Sequence, residues 1–302
     1  MPSNNFTALW KRPDITDKHL VALYLWYPQG GKYNKDKRIA KFKSILSRFK
    51  CKLTVIYIDN SAKDSVSRKI SGNEYEISGD NDYREFSGWQ KGIDFANSLN
   101  LRIDGYLFAN DMFFHDSFTR LFSIDQSAFI RALKYDAIVG NLIPFPVFGK
   151  IMDESVDWYI RTHIFLAAKS AIEGLVPLVS IDSQKAKEIF IPCYHPLIPL
   201  FKEDAPVSPV VKKCIFKHVT SHWYNKKPYN EKNFEYLRDK SLAILNSLMF
   251  SVKAKRWGYS LMDSIIDRRP SELRSSVAKS EKFRGILLII KAFCDKNKIR
   301  HV

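Results

Sequence analysis

Two aspartates follow directly after apolar segments that are typical of buried β-strands. The first segment, residues 52–58 (KLTVIYI), and the second, residues 104–109 (DGYLFA), both end in a short polar stretch. In open α/β sheets, ligands bind in the crevice outside the carboxyl ends of the strands. The pattern therefore predicts a site that contains both acids and is suited to a nucleoside diphosphate. The polar residues concerned are Asp59, Asn60, Ser61, Asn110 and Asp111.

A helix is predicted between these two polar stretches. Gly88 and Gly92 lie in its first turns. Glycine costs a helix ~1 kcal/mol relative to alanine, so two of them indicate either close packing or close approach of a ligand to the backbone. Arg84 and Lys91 are candidates for stabilising phosphate charge, with solvated surface charge as the alternative. The apolar face of the helix consists of Trp89, Ile93, Ala96 and Leu99.

Motifs of several common enzyme classes do not occur in the sequence. It has no nucleophile elbow, no H-E-x-x-H, no G-x-G-x-x-G and no Walker P-loop, since the lysine of residues 30–32 (GGK) lacks the required glycine spacing. The four cysteines are scattered without a C-x-x-C pair, which argues against a zinc site or a disulfide framework and fits a reducing compartment. These cysteines are Cys51, Cys193, Cys214 and Cys294.

The elements expected around the polar residues alternate between strand and helix over the first 180 residues. Apolar runs predict strands at 19–27, 52–58, 75–77, 104–109, 136–140 and 158–167. Amphipathic spacing predicts helices at 39–49 and 89–99, and a short one from 170. This alternation favours an α/β fold with a mostly parallel sheet flanked by helices.

Three regions are expected along the 302 residues. Residues 1–180 are expected to form the α/β core, and residues 181–232 a Pro-rich segment, where prolines exclude a long helix. Residues 233–302 form a basic, amphipathic helical extension, which ends in a helix at 281–297.

Four segments, taken in order, resemble the GT-A glycosyltransferases. They read LYLWYPQGG, IDNS, GDNDYREFSGWQKGIDFA and LFANDMFF, and they span roughly the first 170 residues. The resemblance is to the family 2-like and rhamnan-synthesis-like enzymes of bacterial surface polysaccharides. It implies a GT-A-like (Rossmann-like) core that binds the nucleotide sugar, with the Pro-rich segment 181–232 on the acceptor side. The implied reaction is transfer of a sugar from a nucleotide-diphosphate donor to a glycan or lipid-linked glycan such as O-antigen or capsule.

The resemblance also implies roles for the polar residues. Asp59, with Asn60 and Ser61 nearby, falls where the family holds the nucleobase or ribose. Asn110 and Asp111 fall on the motif that binds a divalent cation, Mn²⁺ or Mg²⁺, which bridges the two phosphates. Met112 cannot ligate such a hard cation, so the metal would depend on Asp111, water and the diphosphate.

The sequence allows more than one assignment of the catalytic base and of the roles of three histidines. An inverting transferase needs a carboxylate to take the proton of the acceptor hydroxyl, and Asp157 and Asp182 are the candidates, against ordinary loop acids. His163, His195 and His222 are each candidates for a metal or phosphate contact or for a structural role. Among them His222 is the best candidate for a metal ligand, because aromatic and basic residues surround it in SHWYNKKPY.

Charge and hydropathy predict where the protein acts. The net charge of +16 predicts attraction to polyanions, and residues 253–257 place lysine, arginine and tryptophan at one end of an apolar stripe. This end is expected to contact an anionic membrane surface, with packing against the core as the alternative. The start of the chain lacks the pattern of a signal peptide and no apolar stretch is long enough to span a membrane, so we expect a cytoplasmic protein, peripheral at the inner face of the plasma membrane.

Two further hypotheses come from other functional classes. A nucleic-acid-binding protein is favoured by charge and by aromatic residues between basic ones, but it leaves the acids at strand ends without a purpose, so nucleic acid is not the expected partner. A catalytically inactive glycan-binding scaffold on the same fold fits the incomplete metal motif.

Overall fold

The computed structural model describes residues 14–27, 34–62, 65–116, 118–222 and 227–265. The predicted helix at 281–297 and the glycines of residues 30–31 lie outside these ranges. The eight strands are β1 (His19–Trp26), β2 (Lys52–Asp59), β3 (Ser67–Ser71), β4 (Glu74–Ser78), β5 (Gly105–Asn110), β6 (Ala137–Ile151), β7 (Glu154–Ala168) and β8 (Ser260–Asp263). The helices are α1 (Lys35–Leu46), α2 (Glu85–Ser98), α3 (Phe118–Ser123), α4 (Gln126–Tyr135), α5 (Lys169–Glu173), α6 (Ser183–Ile189), α7 (Pro209–Lys217) and α8 (Phe234–Arg256).

All eight strands belong to one mixed sheet, in the order β3-β4-β2-β1-β5-β7-β6-β8. The strands β4, β2, β1 and β5 run parallel, and β6 and β8 are also parallel to each other. The strand β7 is antiparallel to both of its neighbours, and β3 is antiparallel to β4. The predicted α/β class is therefore confirmed, with antiparallel strands inserted into the expected parallel sheet.

The two faces of the sheet carry separate hydrophobic cores. Strand β1 is buried along almost its whole length, which explains its continuous apolar run. One face packs against α2 and the end of α8, through Trp89 and Phe250. The other face packs against α1 and α4, through Phe42 and Phe129. The sheet is thus the middle layer between helices.

A third core lies beyond the carboxyl ends of the central strands. The hairpin of β6 and β7 extends past the sheet, and its outer half packs with α7 and α8. Asn246 of α8 is fully buried and holds this layer, since it accepts hydrogen bonds from the amides of Ser180 (3.0 Å) and Ile181 (2.8 Å) and donates to the Ile181 carbonyl. This layer encloses the carboxyl edge of the sheet from one side.

Within the described residues, no helix is both long enough and apolar enough to cross a membrane.

Candidate functional site

The order of the central strands creates a crevice at their carboxyl ends. Strand β1 lies between β2, which follows it in the chain, and β5, which follows after β4 and α2. The connection from β1 leads to the strand on one side of it, and the later connection through α2 leads to the strand on its other side. The point between them is the topological switch point, where α/β sheets bind ligands. Asp59 ends β2 and Asp111 directly follows β5, on either side of β1. Asp59 and Asp111 therefore both lie at the carboxyl edge of the sheet, and their part in one common site stays a prediction.

Asp59 fixes the turn that follows β2. Its Oδ1 accepts hydrogen bonds from the Ser61 amide (2.9 Å) and the Ser61 hydroxyl (2.6 Å). The Asp59 side chain also lines an open cleft of about 230 Å³ beside β4. The other residues of this cleft are Ala62, Val66, Arg68, Glu76, Ile77 and Ser78.

Asn60 connects the end of β2 to the start of α2. It is 4% exposed, and its Nδ2 donates to the carbonyl of Arg84 at 2.9 Å. A Cβ added at Gly88 would lie 2.6 Å from Asn60 Oδ1 and 2.5 Å from Leu25 Cδ1, and one at Gly92 would lie 2.7 Å from Ile58 Cδ1. The structure therefore gives both glycines a packing role against the sheet, which is one of the two predicted alternatives.

Arg84 precedes α2 in an unusual backbone conformation. Its φ of 57° and ψ of −126° cost a non-glycine residue on the order of 1–3 kcal/mol, a strain typical of functional sites. The Arg84 guanidinium lies 3.6 Å from the Asp239 carboxylate of α8 and is 19% exposed. Lys91, by contrast, is half exposed and pairs with Asp80 at 3.3 Å. Of these two predicted cations, Arg84 lies between α2 and α8, and Lys91 points to the surface.

Asp111 is held by a buried arginine from α1. Arg38 is 2% exposed, its Nη1 lies 3.2 Å from Asp111 Oδ2, and the same nitrogen donates to the Asp111 carbonyl at 3.0 Å. The neighbouring Asn110 is also buried, since its Oδ1 accepts from the Met112 amide and its Nδ2 donates to the Thr162 carbonyl. The predicted Asn110–Asp111 pair is thus held by α1 and β7 and by the turn that contains Asp111 itself.

The charge of Asp111 depends on its surroundings. Burial raises the pKa of Asp111 to about 6, the Arg38 guanidinium opposes this rise, and the Glu85 carboxylate adds to it. Lys240 of α8 is electrostatically coupled to both acids, and burial lowers the pKa of its ammonium, with the positive charge of Arg84 as the next cause. The edge of the sheet therefore carries a cluster of alternating charges, contributed by α1, α2, α8 and the end of β5.

This donor set does not fit the divalent cation that the resemblance implies. The Asp111 carboxylate is bound by a guanidinium, and the Lys240 ammonium is coupled to the same carboxylate, so a metal ion there would be repelled by two cations. The described residues contain no group of three or more His, Cys, Asp or Glu side chains in positions to hold a metal. The backbone of His222 is in a π-helical turn (His218–His222), and its side chain lies outside what the structure describes.

A bulge in β7 stands at the same edge. Gly140 of β6 pairs with Phe165, and Leu142 pairs with Ile160, so one residue of β6 faces residues 161–164 of β7. The bulge is fixed on one side by Thr162, whose hydroxyl donates to Glu85 Oε1 at 3.0 Å. Bulges of this kind are frequent beside active sites, where they change the direction of side chains.

The two predicted bases lie away from this cluster. Asp157 is exposed in the outer half of β7, where it contacts Lys255 and accepts from the Trp158 amide. Asp182 caps α6, because its Oδ1 accepts from the amides of Gln184 and Lys185 at 3.0 Å each. The structure gives both residues local roles, and their catalytic role stays a prediction.

Five residues of the cluster were not predicted from the sequence. Arg38, Thr162 and Lys240 reach the carboxyl edge from elements distant in the chain, and Glu85 and Asp116 lie close to Arg84 and Asp111 in the sequence without forming a recognisable motif. The five are Arg38, Glu85, Asp116, Thr162 and Lys240.

Comparison of the chain with known protein families and with curated proteins found no match.

Proposed function

We propose that this protein is a glycosyltransferase that takes its sugar from a nucleoside diphosphate donor bound across the carboxyl ends of β2, β1 and β5. The observation that carries the proposal is the cluster at the topological switch point, where acids at the end of β5 and the start of α2 meet cations from α1, α2 and α8. A crevice at this point is the usual ligand site of an open α/β sheet.

The chemistry of glycosyl transfer matches the charges in this cluster. As the bond between the anomeric carbon and the phosphate oxygen breaks, negative charge accumulates on the leaving diphosphate and must be stabilised. In the proposal Arg84 and Lys240 approach the diphosphate, and the strained backbone of Arg84 positions its side chain for this contact. Both cations are partly buried, so their attraction for phosphate is screened less than at an open surface.

The acids have a different part in the proposal. Asp59 lines the cleft beside β4 and binds the hydroxyls of the ribose, as carboxylates do in related α/β sites. Asp111 and Glu85 accept hydrogen bonds from hydroxyls of the donor sugar, while Arg38 keeps the Asp111 carboxylate oriented. The acceptor in this proposal is a lipid-linked bacterial surface glycan, and the net charge of +16 supports its presentation at an anionic membrane.

Substitution of the two cations tests this proposal. We expect Arg84→Gln and Lys240→Met each to weaken binding of the matching nucleoside diphosphate about tenfold or more, since a charge-assisted hydrogen bond contributes about 1.5–3 kcal/mol. Isothermal titration calorimetry with UDP, GDP and dTDP, in EDTA and again with Mn²⁺, measures the affinities. We expect binding to persist in EDTA.

The matched control is Lys232→Met, which removes an exposed lysine near the start of α8. Its affinity for the nucleotide should equal that of the wild type. Equal affinities of all three variants and the wild type would contradict the proposed donor site.

A further inference from the structure

The bulge of β7 places a histidine next to a buried carboxylate. The Nδ1 atom of His163 lies 3.1 Å from Asp116 Oδ1, and the Asp116 side chain is only 4% exposed. Arg161, in the same bulge, lies 3.6 Å from the same oxygen. Neither the donor nor the phosphate contacts proposed above use this pair.

The pair borders the donor crevice through two hydrogen bonds of its neighbour Thr162. The Thr162 carbonyl accepts from Asn110 Nδ2 at 3.2 Å, and the Thr162 hydroxyl donates to Glu85 at 3.0 Å. His163 therefore follows a residue that is bonded to both ends of the cluster. The His163 side chain is 19% exposed, so its ring is partly accessible to solvent.

The hydrogen bond of Nδ1 decides what the other ring nitrogen can do. A histidine whose Nδ1–H donates to a carboxylate is held in the tautomer with its lone pair on Nε2, and that nitrogen can accept a proton. Within the described residues, no hydrogen-bond partner is seen for His163 Nε2. The carboxylate then stabilises the imidazolium that forms when Nε2 takes a proton.

From this arrangement we infer that His163 is the general base of the transfer, with Asp116 as its positioning residue. The inference rests on the proposed function. His163 Nε2 takes the proton of the acceptor hydroxyl, and the freed oxygen forms a bond to the anomeric carbon of the donor. The bond from that carbon to the phosphate oxygen breaks, and its electron pair leaves with the nucleoside diphosphate.

Hydrolysis of the donor sugar tests the inference, because water replaces the unidentified acceptor and loses its proton to the same base. The release of nucleoside diphosphate is measured with a panel of UDP, GDP and dTDP sugars. We expect His163→Gln to lower the turnover number roughly 10²- to 10⁴-fold, the usual contribution of general base catalysis, with little change in KM. Asp116→Asn should also lower it, and imidazole added to His163→Ala should restore part of the rate.

The dependence on pH separates a base from a structural histidine. The wild-type rate should fall as the pH is lowered, because only a neutral imidazole accepts a proton. Asp111→Asn, which removes the titration of Asp111, should keep this fall, and Asp111→Asn combined with His163→Gln should lose it. The charged groups that face the ring and its partner are Asp116, Arg161 and Lys41 of α1. Lys41 and Arg161 remain in every variant, so they do not account for a loss of this fall in rate.

A second histidine provides the control. His195 lies in the loop after α6, where its Nδ1 accepts from the amides of Leu197 (3.2 Å) and Ile198 (3.1 Å). His195→Gln should hydrolyse the donor at the wild-type rate. A His163→Gln variant with the wild-type rate and pH profile would overturn the assignment of the base, whereas the proposed function would stand. A wild type that binds none of the nucleotides would overturn the proposed function itself, and binding without release of diphosphate would overturn the base alone.

Discussion

At the scale of single residues, the pairing of Arg38 with Asp111 determines the charge at the centre of the site. Both side chains are buried, and each would be costly to bury alone. Together they leave a carboxyl group whose pKa is about 6, because the loss of water around it outweighs the attraction of the guanidinium. The charge of Asp111 is therefore obtained at a cost to the stability of the fold.

This cost predicts a specific effect of pH. The pKa of Asp111 is about 6 in the folded protein and 3.8 in the reference state, so the folded state binds the extra proton and loses stability as the pH rises through this interval. A difference of about two pKa units between the folded and the reference state corresponds to about 3 kcal/mol of folding free energy. Asp111→Asn cannot titrate, so its free energy of unfolding relative to that of the wild type should rise by about this amount from pH 4 to pH 7.

Urea unfolding of both proteins at each pH measures this difference. Asp82→Asn, at an exposed loop position, is the matched control for the loss of a carboxylate without burial. A difference in stability between Asp111→Asn and the wild type that stays constant with pH would show that Asp111 is not buried with a raised pKa.

At the scale of the elements, the position of α2 against the sheet orients the residues at its start. Gly88 allows the helix to approach Leu25 of β1, and the carbonyl of Arg84 is held by Asn60. Close contact between α2 and the strands thus brings Arg84 and Glu85 to the carboxyl edge. The packing of the first turn of α2 against β1 therefore affects the positions of Arg84 and Glu85.

Replacing Gly88 by alanine tests this packing. At an exposed helix position, replacing glycine by alanine would stabilise the helix by ~1 kcal/mol. Here the added Cβ would lie 2.5 Å from Leu25 Cδ1 and 2.6 Å from Asn60 Oδ1, so we expect the free energy of unfolding to fall by about 1–3 kcal/mol. Urea unfolding measures it, with Ser98→Ala at the exposed end of the same helix as the control. A Gly88→Ala variant as stable as the wild type would mean that α2 lies farther from β1.

The central strands were predicted from the sequence because a strand that is buried on both faces is a continuous run of apolar residues. Strands β1, β2 and β5 are continuous apolar runs, and α2 has a clear apolar stripe. Strand β3 (SRKIS) is polar and exposed along its length, and β8 has only four residues, so neither shows such a pattern. The outer halves of β6 and β7 were also missed, because they alternate between the third core and solvent.

In the candidate site, the polar residues at the strand ends could be predicted from the sequence, but their partners could not. A polar residue after a buried strand is visible locally, and this revealed Asp59 and Asp111. The pairs that complete the cluster are distant in the chain: Arg38 is 73 residues from its partner Asp111, and Thr162 is 77 residues from its partner Glu85. Such pairs are produced by the order of the strands, which a single sequence does not state.

At the scale of the whole molecule, the net charge of +16 predicts electrostatic attraction to an anionic membrane. We expect the protein to float with vesicles that contain phosphatidylglycerol at low salt, and to be released as the ionic strength rises and screens the charges. Vesicles of phosphatidylcholine alone are the control. Equal binding to both kinds of vesicle, or none to either, would contradict a charge-driven membrane contact.

The central claim is that the carboxyl edge of the sheet binds a sugar nucleotide, and a thermal-shift screen of the purified protein tests it most directly. The ligands are UDP, GDP, dTDP and CMP sugars, each in EDTA and with Mn²⁺. A ligand at about 100 times its dissociation constant should stabilise the protein by about 2.7 kcal/mol, and we expect this for one nucleoside diphosphate sugar and not for its Arg84→Gln variant. No shift with any sugar nucleotide, together with tight and salt-sensitive binding to RNA or DNA, would contradict the account and favour a nucleic-acid-binding protein.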